Sequence, residues 1–356
     1  MTLEFKQIFL SLVRLGIGHN SSFPEVEDWQ SIYSLADEQG LMAIVVDGIE
    51  HLPEACRPSK VMFLEWVGTV MRDYEWRYEM YQKAITGLAS WHHAHGFKMM
   101  VLKGYACALN WPKPEHRPCG DIDIWQFGQQ KEADAAMARD EGVKVDTSHH
   151  HHTVFRWRGF TVENHYDFIN LYTHKSNRKL ECILKELAQD DSHYVEVGGE
   201  KVYLPSADFH ALFLLRHAMA HFAATEITLR QLLDWAFFVK AHGGEVNWEW
   251  LMTVLRDLGA LDLLHVFNAI CVEDLGFDPS IFPAVQSNPS LQDRVLNEIL
   301  EPEIPNALPR GLFKRVIWKL KRWKANAWKR RLVYDESMWS SFWHGVWAHL
   351  LKPASI

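Results

Sequence analysis

Between Ser59 and His95 the apolar positions Val61, Leu64, Val67, Met71, Tyr74, Tyr78, Tyr81, Ile85 and Leu88 recur at intervals of three and four, the spacing of one helical face. Gly96 follows as a residue able to turn left-handed and end a helix. The pattern predicts one long amphipathic helix within a first hundred residues that read as helical throughout. The period then shortens. Met99 to Leu102 is a short apolar strand candidate, Gly120 is followed by D-I-D-I-W-Q-F, and Gln129 to Glu141 is a polar helical stretch. Two alternating runs from His151 to Tyr166 flank Arg158-Gly159, and Gly198-Gly199 lies between Val195 and Tyr203, so both read as hairpins. Helical heptads return after Pro205, with Ser206 as N-cap candidate and Asp208 in the first turn. The predicted architecture is α+β: an N-terminal helical region over 1–96, a small mixed-sheet core over 97–204, a helical bundle over 205–305 and a basic helical segment over 306–356. The turn-rich stretch Asn306 to Gly311 separates the last two.

With 356 residues, 48% of them apolar, the chain can bury substantial cores, which excludes a disordered protein. Its five cysteines are scattered and none is in C-x-x-C spacing, which argues against a disulfide framework or a zinc knuckle and for a reducing compartment. No basic run followed by an apolar stretch opens the sequence, and no run approaches the roughly 18 apolar residues of a membrane span. A cytoplasmic protein without signal peptide or membrane span is expected. Charge is uneven: ten Lys or Arg and no acid lie between Arg310 and Arg331, leaving −18 on the rest of a chain whose formal net charge is −8.

The chemistry concentrates in Leu102-Lys103-Gly104 and Gly120-Asp121-Ile122-Asp123-Ile124. Strand residues two apart share a face, so Asp121 and Asp123 present two carboxylates side by side. Adjacent anions repel unless neutralised, and hard oxygen ligands at this spacing suit divalent magnesium bound together with substrate phosphates. An isolated D-x-D is also how a polar strand edge reads. Here it sits in an apolar strand, preceded by another that ends in a glycine turn.

That arrangement resembles the polymerase β-like nucleotidyltransferase superfamily, and the L-K-G…R-x-x-G-D-I-D-I pattern is similar to a poorly characterised bacterial nucleotidyltransferase family within it. The V-E-N-H segment and a later R-x-x-x-D helix fit as well. The resemblance implies a small mixed-sheet nucleotidyltransferase core and transfer of a nucleoside monophosphate from a nucleoside triphosphate such as ATP, with release of pyrophosphate. It implies metal-binding, catalytic carboxylates at Asp121, Asp123 and Glu163 for two Mg2+ ions, with Mn2+ as the alternative. Lys103, Gly104, Arg117 and Gly120 become nucleotide-binding candidates. His165, two positions from Glu163 and on its face, Asp167 beyond it, and Arg230 and Asp234 on the R-x-x-x-D helix are candidates for substrate contact or support of the ligands. Gly104-Tyr105 departs from the Gly-Ser or Gly-Gly common in the superfamily; Lys103 compensates on this reading.

Other signals weigh less. Strand alternation points His150 and His152 opposite to His149 and His151, so the four-histidine run does not imply a metal cluster. His217 and His221, four apart on a helix, have chelating spacing but lack the glutamate of H-E-x-x-H and read as packed histidines. Arg230 and Asp234 also fit an intrahelical salt bridge. The segment from Leu312 to Trp323 has helical apolar spacing, interleaved with cations and with Trp318 and Trp328, which suits a packed helix, an RNA contact or an anionic membrane surface. Two other function classes follow: a catalytically silent nucleotide-binding or interaction protein, and an RNA-binding protein using the basic helix. The acceptor is left open among tRNA, protein, a small hydroxyl compound and a sugar phosphate.

Overall fold

The computed structural model describes residues 1–172, 174–283, 286, 288–304, 309–334, 339 and 343; residues 306–308 of the expected turn and the remainder of the C-terminal segment lie outside them. Helices α1 (Leu3–Gly16), α2 (Trp29–Glu38) and α3 (Met42–Glu50) open the chain, the first two capped by Thr2 and Asp28, whose side chains accept from the amides of Phe5 and Ser31. Helices α4 (Lys60–Val70) and α5 (Trp76–Ala94) run on through a wider π turn at Met71–Glu75. The long helix is there, with a shifted face. Before the π turn Trp66 and Val70 are buried, whereas Val61, Leu64 and Met71 are exposed; beyond it Tyr74, Tyr78, Tyr81, Ile85 and Leu88 are buried as the spacing predicts. One extra residue in the turn rotates the apolar stripe, which a uniform helical period does not anticipate.

Strands β1 (Met100–Val101), β2 (Ile122–Trp125), β3 (His152–Trp157), β4 (Phe160–His165), β5 (Tyr194–Val197) and β6 (Glu200–Tyr203) form one mixed sheet in the order β3-β4-β2-β1-β6-β5. β2 and β4 run parallel, as do β1 and β6; the other neighbours are antiparallel. Both expected hairpins form. Their turns need left-handed backbone at two successive positions, supplied by Arg158 and Gly159 and by Gly198 and Gly199. Helices α6 (Lys103–Ala108), α7 (Gln130–Asp140) and α8 (Asn177–Leu187) connect the strands, followed by α9 (Ala207–Ala224), α10 (Leu229–His242), α11 (Trp248–Asp257), α12 (Leu261–Ala269) and α13 (Pro289–Leu300). Ser206 precedes α9 as predicted, but its side chain makes no capping hydrogen bond.

Two apolar cores result. One joins α1 to α4 with the bundle through residues such as Phe9, Ile44, Phe213, Leu233 and Phe267; the other lies between α5 and the sheet and contains Tyr81, Leu88, Ile122, Ile124 and Val162. α14 (Leu312–Ala325) and α15 (Ala327–Val333) follow, and α15 packs on α9. Contact with the bundle is thus made through α15, so the apolar spacing of α14 does not become a single buried face: Leu320 is exposed while Arg322 is buried. Among the described residues no helix is long and apolar enough to cross a membrane.

The loop between α6 and β2 is pinned to the N-terminal helices. Lys113 Nζ and His116 Nδ1 each lie 2.7 Å from the Asp47 carboxylate, and His116 Nε2 lies 3.3 Å from Glu75. Burial opposes the charge of His116, but Asp47 and Glu75 outweigh it and raise its pKa above the ordinary value of 6.5. A raised folded-state value stabilises the fold fully below the unfolded value and stops doing so as pH rises through the folded one. The difference in Tm between wild type and His116→Gln should therefore be largest near pH 6 and shrink toward about pH 9. A difference independent of pH in thermal denaturation would refute this role.

Candidate active site

The β1 to α6 junction delivers the first site residue. Lys103 is the first residue of α6, and its Nζ lies 2.9 Å from Oδ1 of Asp123 on β2. The turn is possible because residue 104 is glycine: a Cβ there would stand 2.7 Å from the Tyr81 hydroxyl and 3.3 Å from the Asp121 carbonyl. Tyr81 donates to that carbonyl at 2.7 Å, which ties α5 to the start of β2. Nothing in the sequence pattern distinguished Tyr81 from its core-facing neighbours.

β2 and β4 pair in parallel with Asp123 opposite Glu163 and Trp125 opposite His165. The even spacing within each strand thus brings Asp123, Glu163 and His165 to one place. His165 Nε2 lies 3.0 Å from Asp123 Oδ1 and 3.8 Å from Glu163 Oε2. Asp123 is buried at 6% exposure, whereas Asp121 is exposed at the rim of the cleft. Burial disfavours the charge on Asp123, but Lys103 and His165 outweigh it and hold the carboxyl well below the usual range. For Glu163 burial and then the Asp123 carboxylate act together and push its pKa well up. The cluster holds more carboxylates than nearby cations, and a divalent ion is the group that corrects this. Oxygen donors at Asp121, Asp123 and Glu163 therefore fit Mg2+ or Mn2+.

Opposite the sheet, α9 and α10 close the cleft. Lys103, Gly104, Gly120, Asp121 and Asp123 line it from the core, and Leu214, His217 and Arg230 from the bundle. Among the described residues Arg230 makes no salt bridge. The intrahelical pair expected with Asp234 does not form, because Asp234 accepts from Arg117 Nε at 2.7 Å and Nη2 at 2.9 Å and from Trp111 Nε1 at 2.9 Å. Arg117 also lines the cleft, but with its fork closed on Asp234 it serves chiefly as a buried tie between core and bundle. Asp167 lies past the end of β4 and is ion-paired to Lys185 of α8. The His217 and His221 rings lie with centroids 4.4 Å apart and planes tilted by 56°, and burial lowers both pKa values, to about 4 for His221.

The histidine run departs from the alternation argument. β3 begins only at His152, so residues 149–151 lie in bends where the two-residue period does not hold. His151 and His152 both face His165, with ring centroids 5.8 and 5.3 Å away. His152 lies directly across the antiparallel pair from His165, and its Nε2 is 3.9 Å from Glu163 Oε1. Burial pushes His151 and His152 down to about 2 and about 3, so both imidazoles are neutral. A position opposite V-E-N-H was the signal that could have found His152.

The family described as "Uncharacterised nucleotidyltransferase" matches residues 25–276, a span that holds every one of these groups. The chain belongs to that family. A search of curated proteins found no match. Among solved structures, the nucleotidyltransferase family member is similar to an antigenic nucleotidyltransferase-like protein from Paracoccidioides brasiliensis, at 13% identity over 49% of this chain and 85% of that chain, with a TM-score of 0.34.

Breaking a buried ion pair from one side strands the other charge, a loss of about 3–5 kcal/mol. Arg117→Ala should lower stability by that order in urea denaturation, and Arg117→Met combined with Asp234→Leu should recover much of it. Unchanged stability together with weakened nucleotide affinity in Arg117→Ala would instead assign Arg117 to the triphosphate.

Proposed function

We propose that this family member is a metal-dependent nucleotidyltransferase that transfers a nucleoside monophosphate from a nucleoside triphosphate to an acceptor. The observation that carries the reading is the register of Asp123 against Glu163, beside Asp121, on the wall of a cleft whose opposite side presents Arg230. An acceptor oxygen attacks the α-phosphorus, the bond from that phosphorus to the bridging oxygen breaks, and pyrophosphate leaves. The acceptor's proton passes to the carboxylate cluster. Asp121, Asp123 and Glu163 would hold the divalent ions, two Mg2+ in the expected arrangement, which when bound would supply neutralising charge and activate the acceptor oxygen.

The chain's own cations position the substrate. Lys103 balances Asp123 in the cleft and is placed to meet a substrate phosphate bound there. Arg230, with burial and then Arg117 disfavouring its charge, gains most from an anion placed before it. Gly104 and Gly120 line the same cleft, and the open space beside Gly120 leaves its backbone accessible to the triphosphate. A cytoplasmic setting agrees with the free state of all five cysteines. The acceptor class is open among RNA, protein and small hydroxyl compounds.

Purified protein incubated with each labelled nucleoside triphosphate, Mg2+ or Mn2+ and cell extract should label one class of acceptor and release pyrophosphate. Asp123→Asn should abolish both while the protein remains folded by circular dichroism, since the amide keeps the volume and removes the charge. Full transfer by Asp123→Asn would refute the carboxylate mechanism. Arg230→Ala should weaken nucleotide binding in calorimetry by roughly 1.5–3 kcal/mol, the range for a hydrogen bond to a charged group. Unchanged affinity would return Arg230 to the structural residues of α10.

A further inference from the structure

His152, Glu163 and His165 place one ligand atom each within 4.8 Å of one another. We infer that they form a site for a first-row transition dication such as Zn2+, which shares Glu163 with the proposed Mg2+ ligands and differs from them in its two imidazoles. This extends the proposed reaction without resting on it, because the site is defined by its ligand atoms and not by nucleotide transfer.

Three observations carry the assignment. The separations come first: with bonds of about 2.1 Å, tetrahedral ligands stand about 3.4 Å apart. His152 Nε2 to Glu163 Oε1 is 3.9 Å and His165 Nε2 to Glu163 Oε2 is 3.8 Å, and the three ligand atoms lie within 4.8 Å of one another, so closing on a common ion needs shifts of up to about 1.4 Å. The second is orientation. His165 Nδ1 lies 3.2 Å from the Asp167 carbonyl, which can only accept, so Nδ1 carries the proton and Nε2 points toward the carboxylates. A metal-bound histidine is commonly held by such a bond from its other nitrogen to a carbonyl. Nε2 then faces Asp123 and Glu163, and only a proton or a metal ion satisfies that contact. The third is burial: His152 is 6% exposed, so an ion bound to it is shielded from water, although its Nδ1 lacks the orienting hydrogen bond that His165 has.

Two imidazoles and one carboxylate favour zinc and its neighbours over magnesium, which prefers oxygen throughout. Three protein ligands also leave a fourth position open, as in sites that bind water or substrate. Asp123, which lines the cleft, lies 3.0 Å from His165 Nε2. The neighbouring histidine run poses one competing explanation, chelation by successive imidazoles as in an affinity tag, and the variants separate the two.

Metal-free full-length protein titrated with Co2+ should develop saturable visible absorption of a low-coordinate site, displaced by Zn2+ and retained in excess Mg2+. His152→Ala and Glu163→Gln should each lose that spectrum, and His149→Ala should keep it, with circular dichroism reporting the fold of each. Glu163→Gln is the variant least exposed to misfolding, since its side chain is partly solvated. The assignment fails if no saturable spectrum develops, if Mg2+ displaces Co2+ readily, or if the spectrum survives in folded Glu163→Gln while disappearing in His149→Ala. Because no nucleotide is present, loss of transfer activity and loss of this site are separate results.

Discussion

Asp123 is a carboxylate buried in the middle of a sheet, and such a group takes up a proton unless counter-charge is placed against it. Much of the core's local geometry follows from supplying that charge. Lys103 reaches Asp123 because the chain turns from β1 directly into α6, and the turn is tight enough to require glycine at 104 against the Tyr81 hydroxyl. His165 reaches it because β2 and β4 are parallel and in a register that sets Trp125 opposite His165. The same register puts Glu163 beside Asp123, which adds a carboxylate that Lys103 alone does not balance. A pocket formed this way is selective for positive charge on its sheet side before any ligand arrives.

The bundle side has the opposite character, for an equally local reason. Asp234 could have neutralised Arg230 one helical turn away, but Arg117 comes in from the core loop with a planar fork that matches the carboxylate, and Trp111 adds a third donor. The pairing fastens core to bundle and leaves Arg230 facing the cleft. Carboxylates on one wall and a guanidinium on the other are complementary to a polyphosphate carrying its metal ions. The structural tie and the charge pattern of the cleft thus have one origin.

Much of this was legible in the sequence, because it depends on local periodicity. The D-I-D-I and V-E-N-H runs each define a strand face, and glycine-containing turns close both hairpins, so strands, faces and turn positions follow directly. What the pattern could not supply was pairing across long separations. Arg117 and Asp234 both read as cleft residues, and only the tertiary fold shows them bonded to each other. The histidine run misled because alternation was extended over residues that precede β3, and the α4 to α5 face was misplaced because a π turn leaves no mark in apolar spacing. Tyr81 hid among core aromatics: its hydroxyl acts on a backbone carbonyl, and residue type alone does not reveal that.

The basic C-terminal segment shows how net charge along a sequence differs from charge presented to a partner. Lys329 is buried and ion-paired with Glu298 at 2.6 Å, so one of the ten cations neutralises the bundle. Arg322 is buried with its charge drawn toward Glu226 and Glu298, and it lies over the Trp318 ring. Trp328 packs on Phe222 and beneath Arg294, so it is part of the bundle surface and no free stacking platform for a base. Arg310, Lys314, Arg315, Lys319, Lys321, Lys324 and Arg331 remain exposed. A polyanion meeting this surface would encounter those side chains with the exposed Leu320 among them, a smaller and less aromatic footprint than ten consecutive cations suggest. Lys329 thus gives its charge to Glu298 of α13 and Trp328 packs on Phe222 of α9, which dock α15 on the bundle while α14 keeps its lysines in solvent.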